Sequence, residues 1–341
     1  MRRTRVTMAE VAELAGVSRT TVSFVLNGTD ARVSTATRDR IMQAVEQTGY
    51  RPNAGARALA ARRSDWIGLV TEIVTAPFAV DIIRGAQEAA WDEQRYLLIA
   101  AAEQGYAPTD PRQRQLEQVA VEKLLEQQVE GIIYAASWHR GIVVPEAVRE
   151  VPTVLVHCFA TNADLPCIVP DEDAGGRRAT QRLLEAGHER IGMVNLDPHI
   201  PAGQGRLAGH REALEGADIA FDDSLVVTGD ATAHGGFEGA MTLLSLPDRP
   251  TALFCANDRM AMGAYDAIKE LGLSIPDDVA VVGFDNQELI SNYLRPSLTS
   301  VALPFEQMGT LGVKTLGAIA AGKEVEPRQV LDCPLLERSS V

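Results

Sequence analysis

Cysteine is scarce in this 341-residue chain, and long apolar runs are missing from it. The four cysteines are far apart and form no Cys-x-x-Cys pair, which argues against a disulfide framework and against a metal site. No run reaches the roughly 18 apolar residues that a membrane-spanning helix needs. The basic N-terminus leads into polar residues rather than into the apolar core of a signal peptide. These absences predict a cytoplasmic protein with free thiols.

Signatures of catalysis are missing as well. The chain has no Walker loop, no Gly-x-Ser-x-Gly elbow and no His-Glu-x-x-His pair, and its six histidines show no metal-ligand spacing. Residues 203–208 formally match a dinucleotide fingerprint. However, a pyrophosphate site needs its glycines in the turn directly after a strand, and these glycines lie further on. We therefore expect neither an enzyme nor a cofactor.

Positive charge is concentrated at one end of a chain whose formal net charge is -14. Residues 1–63 carry eleven arginines, no lysine and five acidic residues, a net charge of about +6, whereas the remainder carries about -20. DNA attracts the first segment and repels the second. The charge distribution therefore indicates a DNA-binding segment followed by an acidic body.

Three short helices are predicted in the basic segment, each starting at a polar capping residue. They begin after Thr7, Ser18 and Ser34 and end near Gly16, Asn27 and Gly49. The residues expected to point inward are Val11, Leu14 and Ala15, then Val22, Val25 and Leu26, then Ile41, Ala44 and Val45. Two helices joined by a tight turn and supported by a third are typical of a helix-turn-helix. The alternative is a three-helix bundle that contacts other proteins.

The sequence of this segment narrows the choice. The run from Thr7 to Asn27, TMAEVAELAGVSRTTVSFVLN, closely resembles the head of the lactose-repressor type (LacI/GalR) family. Further matches lie at 33–34, 37–38, 49–50, 52–53 and 56–59. The resemblance implies an all-α helix-turn-helix domain over residues 1–51, with its second helix in the major groove.

The resemblance also assigns roles to the second helix. Arg19 and Thr20 match the positions that usually read base edges, and an arginine suits the guanine acceptors O6 and N7. Phe24 stands where many relatives carry a polar base reader, so it either contacts a thymine methyl group or packs inward. The other DNA contacts implied for this domain, mostly to phosphates, are Thr7, Ser18, Thr21, Ser23 and Asn27.

Residues 52–63 form a predicted hinge helix, and residues 64–341 form the predicted effector-binding and dimerisation domain. A helix as short as this hinge is marginal alone in water. In the family the equivalent segment folds on DNA and inserts a leucine into the minor groove, and Leu59 matches that leucine. The alternative is an exposed, flexible tether. The other hinge contacts that the resemblance implies are Asn53, Ala56 and Arg57.

In the long C-terminal domain, short apolar runs alternate with helical patterns. The predicted strands begin at Ile67, Tyr96, Gly131, Thr153, Ile191, Ser224, Ala252 and Val279. Short apolar strands separated by helices imply parallel sheets that helices cover on both faces. Two such series predict an α/β body of two lobes, each with a doubly wound parallel sheet. The resemblance implies the same two-lobed, periplasmic-binding-protein-like (type I) architecture.

In that architecture the chain passes between the lobes three times. The resemblance suggests crossings near 160–163, 287–291 and 317–321. The predicted lobes are therefore about 64–161 with 290–318 (N-lobe) and about 162–289 with 319–341 (C-lobe). A ligand is expected in the cleft between them, where the loops at the carboxyl ends of the strands converge.

Polar residues near predicted strand ends are the candidate effector contacts. Asn257 and Asp285 follow strands directly, and Arg206 opens a helical segment. In relatives, the counterparts of these three residues hydrogen-bond the effector. A carboxylate accepts hydrogen bonds from two adjacent sugar hydroxyls, and a guanidinium donates to sugar oxygens. His157 belongs to the same set and stands where several relatives have an aspartate.

Other features of this predicted site depart from the family. The position where relatives often carry a stacking aromatic holds Ala231, and Phe78 is a candidate to replace that aromatic from the other lobe. Glu72 is a weaker candidate. The alternative for Asn257 and Asp285 is that they only cap helices, and the alternative for Arg206 is an exposed helix position.

Together these features predict a sequence-specific DNA-binding regulator, most simply a repressor, that a small molecule controls. Half-sites related by a twofold axis require a homodimer on a palindromic operator. The polar cleft favours a carbohydrate as the effector. Two rival functions are a stand-alone sugar-binding transport protein and a sugar-active enzyme on the same fold. The first would need an export signal and no DNA-binding domain, and the second would need a catalytic constellation in the cleft.

Overall fold

The computed structural model describes residues 6–27, 33–50, 64–72, 74, 79–102 and 110–341. The chain forms two compact units, residues 1–65 and residues 66–341, which we call the head and the body. None of the described helices has both the length and the hydrophobicity of a transmembrane span.

The head contains three helices, α1 (Met8–Ala15), α2 (Arg19–Asn27) and α3 (Thr35–Thr48). The predicted capping box is present: the Glu10 amide donates to Thr7 Oγ1 at 3.4 Å, and the Thr7 amide donates to Glu10 Oε2 at 2.6 Å. These bonds satisfy amides that would otherwise lack partners at the start of α1.

The other helix ends also follow the sequence. Ser18 Oγ accepts from the Thr21 amide at 3.1 Å at the start of α2, and Ser34 begins α3 in the same way. Gly16 and Gly49 end α1 and α3 in the left-handed conformation, at φ 65° and 63°. The predicted helix-turn-helix is therefore confirmed.

The core of the head is small. Val11, Val22 and Ile41 are completely buried between the three helices. The prediction that Leu14 points inward is wrong, because its side chain is 54% exposed. The buried stripe of α1 is centred on Val11 and Ala15, which are four residues apart, and Leu14 lies about 100° away from Ala15 around the helix.

The first lobe of the body (the N-lobe) is built on a six-stranded sheet. Its strands are β1 (Trp66–Thr71), β2 (Tyr96–Ala101), β3 (Ile132–Ile142), β4 (Thr153–Ala160), β5 (Cys167–Pro170) and β11 (Arg328–Leu331). Their order is β11-β5-β4-β3-β1-β2, and every neighbouring pair is parallel. The helices of this lobe are α4 (Asp81–Asp92), α5 (Pro111–Glu126) and α11 (Phe305–Ala320).

The second lobe (the C-lobe) repeats this plan. Its strands are β6 (Ile191–Asn195), β7 (Val226–Thr228), β8 (Ala252–Cys255), β9 (Ala280–Asp285), β10 (Thr299–Ala302) and β12 (Leu335–Leu336). Their order is β12-β10-β9-β8-β6-β7, and only β12 is antiparallel to its neighbour. Its helices are α6 (Glu172–Glu185), α7 (Pro201–Gly216), α8 (Ala233–Leu244), α9 (Asp258–Glu270) and α10 (Glu288–Ser291).

Both sheets match the predicted class. Every residue of β8 and β9 is buried, as expected for parallel strands that helices cover on both faces. The strand order reverses between β1 and β3 in one sheet and between β6 and β8 in the other. Ligands of such folds bind outside the carboxyl ends of the strands at these reversal points. A ligand site is therefore expected at the residues that follow these strands.

The lobe boundaries predicted from the sequence are wrong by at least 7 residues at the first crossing and by at least 10 at the other two. The chain leaves the N-lobe sheet after Pro170, returns to the N-lobe after Ala302, and crosses again between Leu331 and Leu335. The polar stretch near 161–164 looks like a connection between lobes but is only the turn after β4. β5 then returns to pair with β4, with Leu155 opposite Cys167. The strands that set these crossings are β5, β10, β11 and β12, which were not predicted from the sequence.

Candidate DNA-binding surface and effector site

The second helix of the head presents its N-terminal residues to the surface. Arg19 and Thr20 are exposed in the first turn of α2, whereas Val22 and Val25 face the core. Ser18 Oγ also lies 2.8 Å from Thr21 Oγ1, so the cap holds both hydroxyls at the start of the helix. Two predicted base readers and two predicted phosphate contacts thus share one helix end.

Phe24 lies further along α2 and is 40% exposed, so of the two interpretations left open for it, packing inward does not fit. Ser23 is half-buried beside it. Thr7 is at the surface, where its hydroxyl belongs to the capping box. Asn27 is the last residue of α2, and its side chain is outside the described set. The predicted hinge contacts Asn53, Ala56, Arg57 and Leu59 also lie outside the described residues.

In the body, Arg206 is the centre of the candidate effector site. It projects from α7 and is only 3% exposed, so the alternative of an exposed helix position is wrong. Its Nε donates to Glu172 Oε2 at 2.8 Å, and its Nη1 lies 3.5 Å from Asp285 Oδ1. Nη1 also donates to the carbonyl of Ala256, and the guanidinium carbon lies 3.7 Å from the centre of the Phe284 ring.

Asp285 ends β9 and does not cap a helix. Its Oδ2 accepts from Gln287 Nε2 at 3.0 Å while Oδ1 faces Arg206, and its backbone has φ 97°. A positive φ is uncommon outside glycine and often marks a functional position. The neighbouring Asn286 has φ 53°, so the chain turns sharply where β9 reaches the cleft.

Asn257 has the capping role that the sequence left open as the alternative to an effector contact. Its Oδ1 caps α9 by accepting from the Met260 amide at 2.7 Å. Its amide nitrogen donates to the carbonyl of Ala231 at 3.1 Å, and Ala231 itself has φ 66°. Both hydrogen bonds orient the side chain at the carboxyl end of β8.

The N-lobe contributes His157 through an irregular pairing of β3 and β4. Four residues of β3, numbers 136–139, stand opposite His157 alone, which has φ 59°. This bulge brings His139 to His157, with 6.2 Å between the ring centres. Phe305 of α11 lies edge-on to His157 at 5.3 Å.

The two lobes meet at these side chains. His139 Nδ1 of the N-lobe lies 3.4 Å from Glu172 Oε1 of the C-lobe. His139, His157, Glu172 and Arg206 are each at most 5% exposed. The structure therefore brings three of the predicted contacts, Arg206, Asp285 and His157, into one buried polar cluster between the lobes.

The charges in this cluster are strongly coupled. Burial alone would raise the pKa of Glu172, but the Arg206 guanidinium and the contact with His139 lower it to about 2. Burial raises the pKa of Asp285 to about 6, although Arg206 opposes the change. Burial lowers the pKa of His157 to about 3, so this ring is neutral at physiological pH.

Glu72 lies in the N-lobe at the end of β1 and contacts residues of the same lobe. Its Oε1 accepts from the Ser137 amide at 2.9 Å and lies 2.8 Å from Arg140 Nη1. The guanidinium of Arg140 lies over the ring of Trp138 at 4.7 Å. Phe78, the proposed replacement for the missing aromatic, lies outside the described residues.

Sequence reasoning missed Glu172, His139 and Asn195. Glu172 follows β5, so a strand prediction over 167–170 would have revealed it. His139 lies inside the bulge of β3, where no sequence pattern marks its direction. Asn195 is the last residue of β6, and its Nδ2 donates to the carbonyl of Gly203 at 3.1 Å.

Comparisons with known proteins agree with this architecture. Residues 7–53 match the family model of bacterial regulatory proteins of the lacI family, and residues 180–341 match the model of a periplasmic binding protein-like domain. The chain is 34% identical over 310 residues to the ribose operon repressor of Haemophilus influenzae. The aligned region covers 91% of this chain and 90% of that protein.

Two solved structures extend the likeness over the whole chain. The transcriptional regulator CelR in complex with cellobiose has a TM-score of 0.69 and 33% identity, with 99% of this chain and 100% of that chain covered. The lac repressor dimer bound to operator and the anti-inducer ONPF has a TM-score of 0.84 and 30% identity, with 99% of both chains covered.

A helix-turn-helix head followed by a two-lobed, periplasmic-binding-protein-like body defines a DNA-binding transcription regulator. The chain belongs to the lacI family of bacterial regulatory proteins.

Proposed function

We propose that this regulator is a repressor that binds a palindromic operator as a homodimer and is controlled by a sugar held between its lobes. The cluster of Arg206, Asp285 and His157 carries the proposal, because residues from both lobes converge there. A guanidinium donor beside a carboxylate acceptor matches the hydroxyl groups of a sugar. The cellobiose complex of CelR and the ribose operon repressor support a sugar as effector.

For the head, we propose that Arg19 and Thr20 read bases and that Ser18, Thr21 and Ser23 contact phosphates. The exposed position of Arg19 and Thr20 at the start of α2 supports this assignment, since a recognition helix leads with its N-terminal residues. Exposed Phe24 is suited to a thymine methyl group. The operator-bound lac repressor dimer supports dimeric binding to two half-sites.

Sugar binding acts on DNA binding through a coupling free energy. A sugar that prefers one arrangement of the lobes shifts the population toward it and changes operator affinity by at most the ratio of its two affinities. Because this ratio sets the direction of the response, one titration shows whether the sugar is an inducer or a corepressor.

The experiment selects operator sequences from random duplexes with the full-length protein and then measures their affinity at fixed salt, with and without neutral sugars. We expect one sugar to change operator affinity by about 10-fold or more. Asp285→Asn should keep operator binding and lose the response, whereas the exposed Asp277→Asn should behave as the unmodified protein does. Arg19→Met should lose operator specificity and keep sugar binding.

A normal response in both aspartate variants would contradict the effector site. Equal binding of Arg19→Met and the unmodified protein to the selected operator would contradict the assignment of α2.

We infer a regulator rather than an enzyme, since the relatives named above are regulators. A repressor acts on the chromosome, so we also propose that the protein works in the cytoplasm.

A further inference from the structure

Several buried polar atoms near the junction of the lobes lack a hydrogen-bond partner among the described residues, and three of them are acceptors. These acceptors are Asn195 Oδ1, His157 Nε2 and Glu172 Oε1, and the last lies 3.4 Å from His139 Nδ1, too far for a strong hydrogen bond. Buried polar atoms are rarely left without a partner, so each such atom calls for an explanation. A ligand that supplies hydrogen-bond donors explains all three.

The hydrogen bonds of the cluster define His157 Nε2 as an acceptor. His157 Nδ1 lies 3.2 Å from the carbonyl oxygen of Ala136, which can only accept, so Nδ1 carries the proton of the ring. The neutral ring then has its lone pair on Nε2. Glu172 is ionised, and its Oε1 only accepts as well.

The cations of the site are already compensated. Arg206 lies between Glu172 and Asp285, and Arg140 is paired with Glu72 at 2.8 Å. The half-buried Arg259 lies close enough to Asp285 to act on its pKa. These three guanidinium groups face three carboxylates, Glu172, Asp285 and Glu72, so together they leave no net positive charge for an anion.

We propose that this site selects neutral, polyhydroxylated ligands over anionic ones such as sugar phosphates and sugar acids, and that Glu172 is the specificity-determining residue. The selection rests on the proposed function, because it concerns the same effector site. A hydroxyl group donates to Glu172 Oε1 or His157 Nε2, whereas a phosphate or carboxylate oxygen is repelled by them. Placing an anion in a buried site without a compensating charge is costly.

The test compares neutral sugars with their anionic counterparts by calorimetry on the full-length protein. The pairs are galactose with galacturonate, ribose with ribose 5-phosphate, and cellobiose with cellobionate. For each neutral sugar that binds, we expect its anionic counterpart to bind on the order of 100-fold more weakly. This measurement on the unmodified protein needs no variant.

Three variants assign the selection to Glu172. Glu172→Gln should reduce the difference in affinity between neutral and anionic sugars to about 10-fold or less. Glu172→Asp should retain this difference, because the charge is kept. Glu212→Gln is the matched control: Glu212 lies on α7, pairs with Arg177 of α6 at 2.6 Å and is exposed. It should leave the difference unchanged.

The outcomes distinguish the proposed selection of neutral ligands from the proposed function. Binding of an anionic sugar as tight as that of its neutral counterpart would overturn the selection and leave the sugar site standing. An unchanged difference in Glu172→Gln would overturn the role of Glu172. If none of the sugars, neutral or anionic, binds, the proposed function itself is wrong.

Discussion

The head and the body place their functional side chains by different means. In the head, Arg19 and Thr20 are neighbours in one helical turn, and the Ser18 cap beside them sets where that turn begins. In the body, Arg206 and Asp285 are 79 residues apart in sequence, and His157 comes from the other lobe. One surface is made by a single helix, and the other requires two sheets.

This difference changes what a substitution does. Arg19 is exposed, so it is free to serve recognition with little effect on the folded state. Arg206 is 3% exposed and forms ion pairs with Glu172 and Asp285. Ligand recognition and stability therefore depend on the same side chain. Four substitutions test how far the contrast extends.

The largest effect is expected at Arg206. Arg206→Met leaves Glu172 and Asp285 buried without their cation, which should lower the free energy of unfolding of the body by about 3–5 kcal/mol. Urea unfolding followed by tryptophan fluorescence measures this change, since all three tryptophans lie in the body. Arg177→Met removes a half-exposed guanidinium from an ion pair of α6 and α7 and should cost far less. Equal losses in the two variants would contradict the structural role of Arg206.

The next effect concerns glycines. A methyl group at Gly263 of α9 would overlap the carbonyl oxygen of Ala233 of α8, so Gly263→Ala should destabilise the body by about 3 kcal/mol. Gly16 in the head has φ 65° and open space around it, so Gly16→Ala should cost only the backbone strain of about 1 kcal/mol. The two losses are compared by tryptophan fluorescence for the body and by circular dichroism for the head. A Gly263→Ala loss no larger than that of Gly16→Ala would show that α8 and α9 can separate without penalty.

The third effect is a pH dependence of the stability of the body, which we expect from the buried His210. Residues 1–63 contain no histidine, so the head lacks such an effect. Burial lowers the pKa of His210 to about 4, whereas the unfolded chain binds this proton near 6.5. The stabilisation from the neutral ring is complete above pH 6.5 and is lost as the pH falls toward 4. Between pH 7 and pH 5 the unmodified protein should therefore lose about 2 kcal/mol more than His210→Gln.

Urea unfolding at the two pH values measures this difference. Between pH 7 and pH 8 the stability of the two proteins should change in parallel, because both values lie above the titration. Equal losses between pH 7 and pH 5 would show that His210 takes up a proton in the folded body.

The smallest effect lies in the head. Thr7→Ala removes one side of the capping box and should destabilise α1 by about 1 kcal/mol. Amide hydrogen exchange of α1 should become faster, while exchange in the body stays unchanged. Thr7→Ser keeps the hydroxyl and should restore most of the protection. Faster exchange throughout the body would contradict a local effect of the cap.

The structure that depends on neighbouring residues was predicted well from the sequence. It predicted the three helices of the head with their caps, because capping side chains act within one turn. It also located eight of the twelve strands of the described residues from their apolar runs. The other four strands were missed, and the lobe crossings and Glu172 were missed with them.

Other features could not be predicted from sequence patterns. The exposure of Leu14 depends on which side of α1 meets α3, and the position of His139 depends on a bulge between two strands. The pKa of Asp285 depends on burial and on Arg206, which helix α7 brings to the same place.

The amino-acid sequence by itself determined the basic DNA-binding head, the two series of strands and the family of the protein, because charge, helix caps and apolar periodicity are properties of neighbouring residues. Only the tertiary structure decided which polar side chains meet between the lobes and which of their atoms remain without partners. The reason is that this site joins residues far apart in the chain, and burial and partner distance set their charge states.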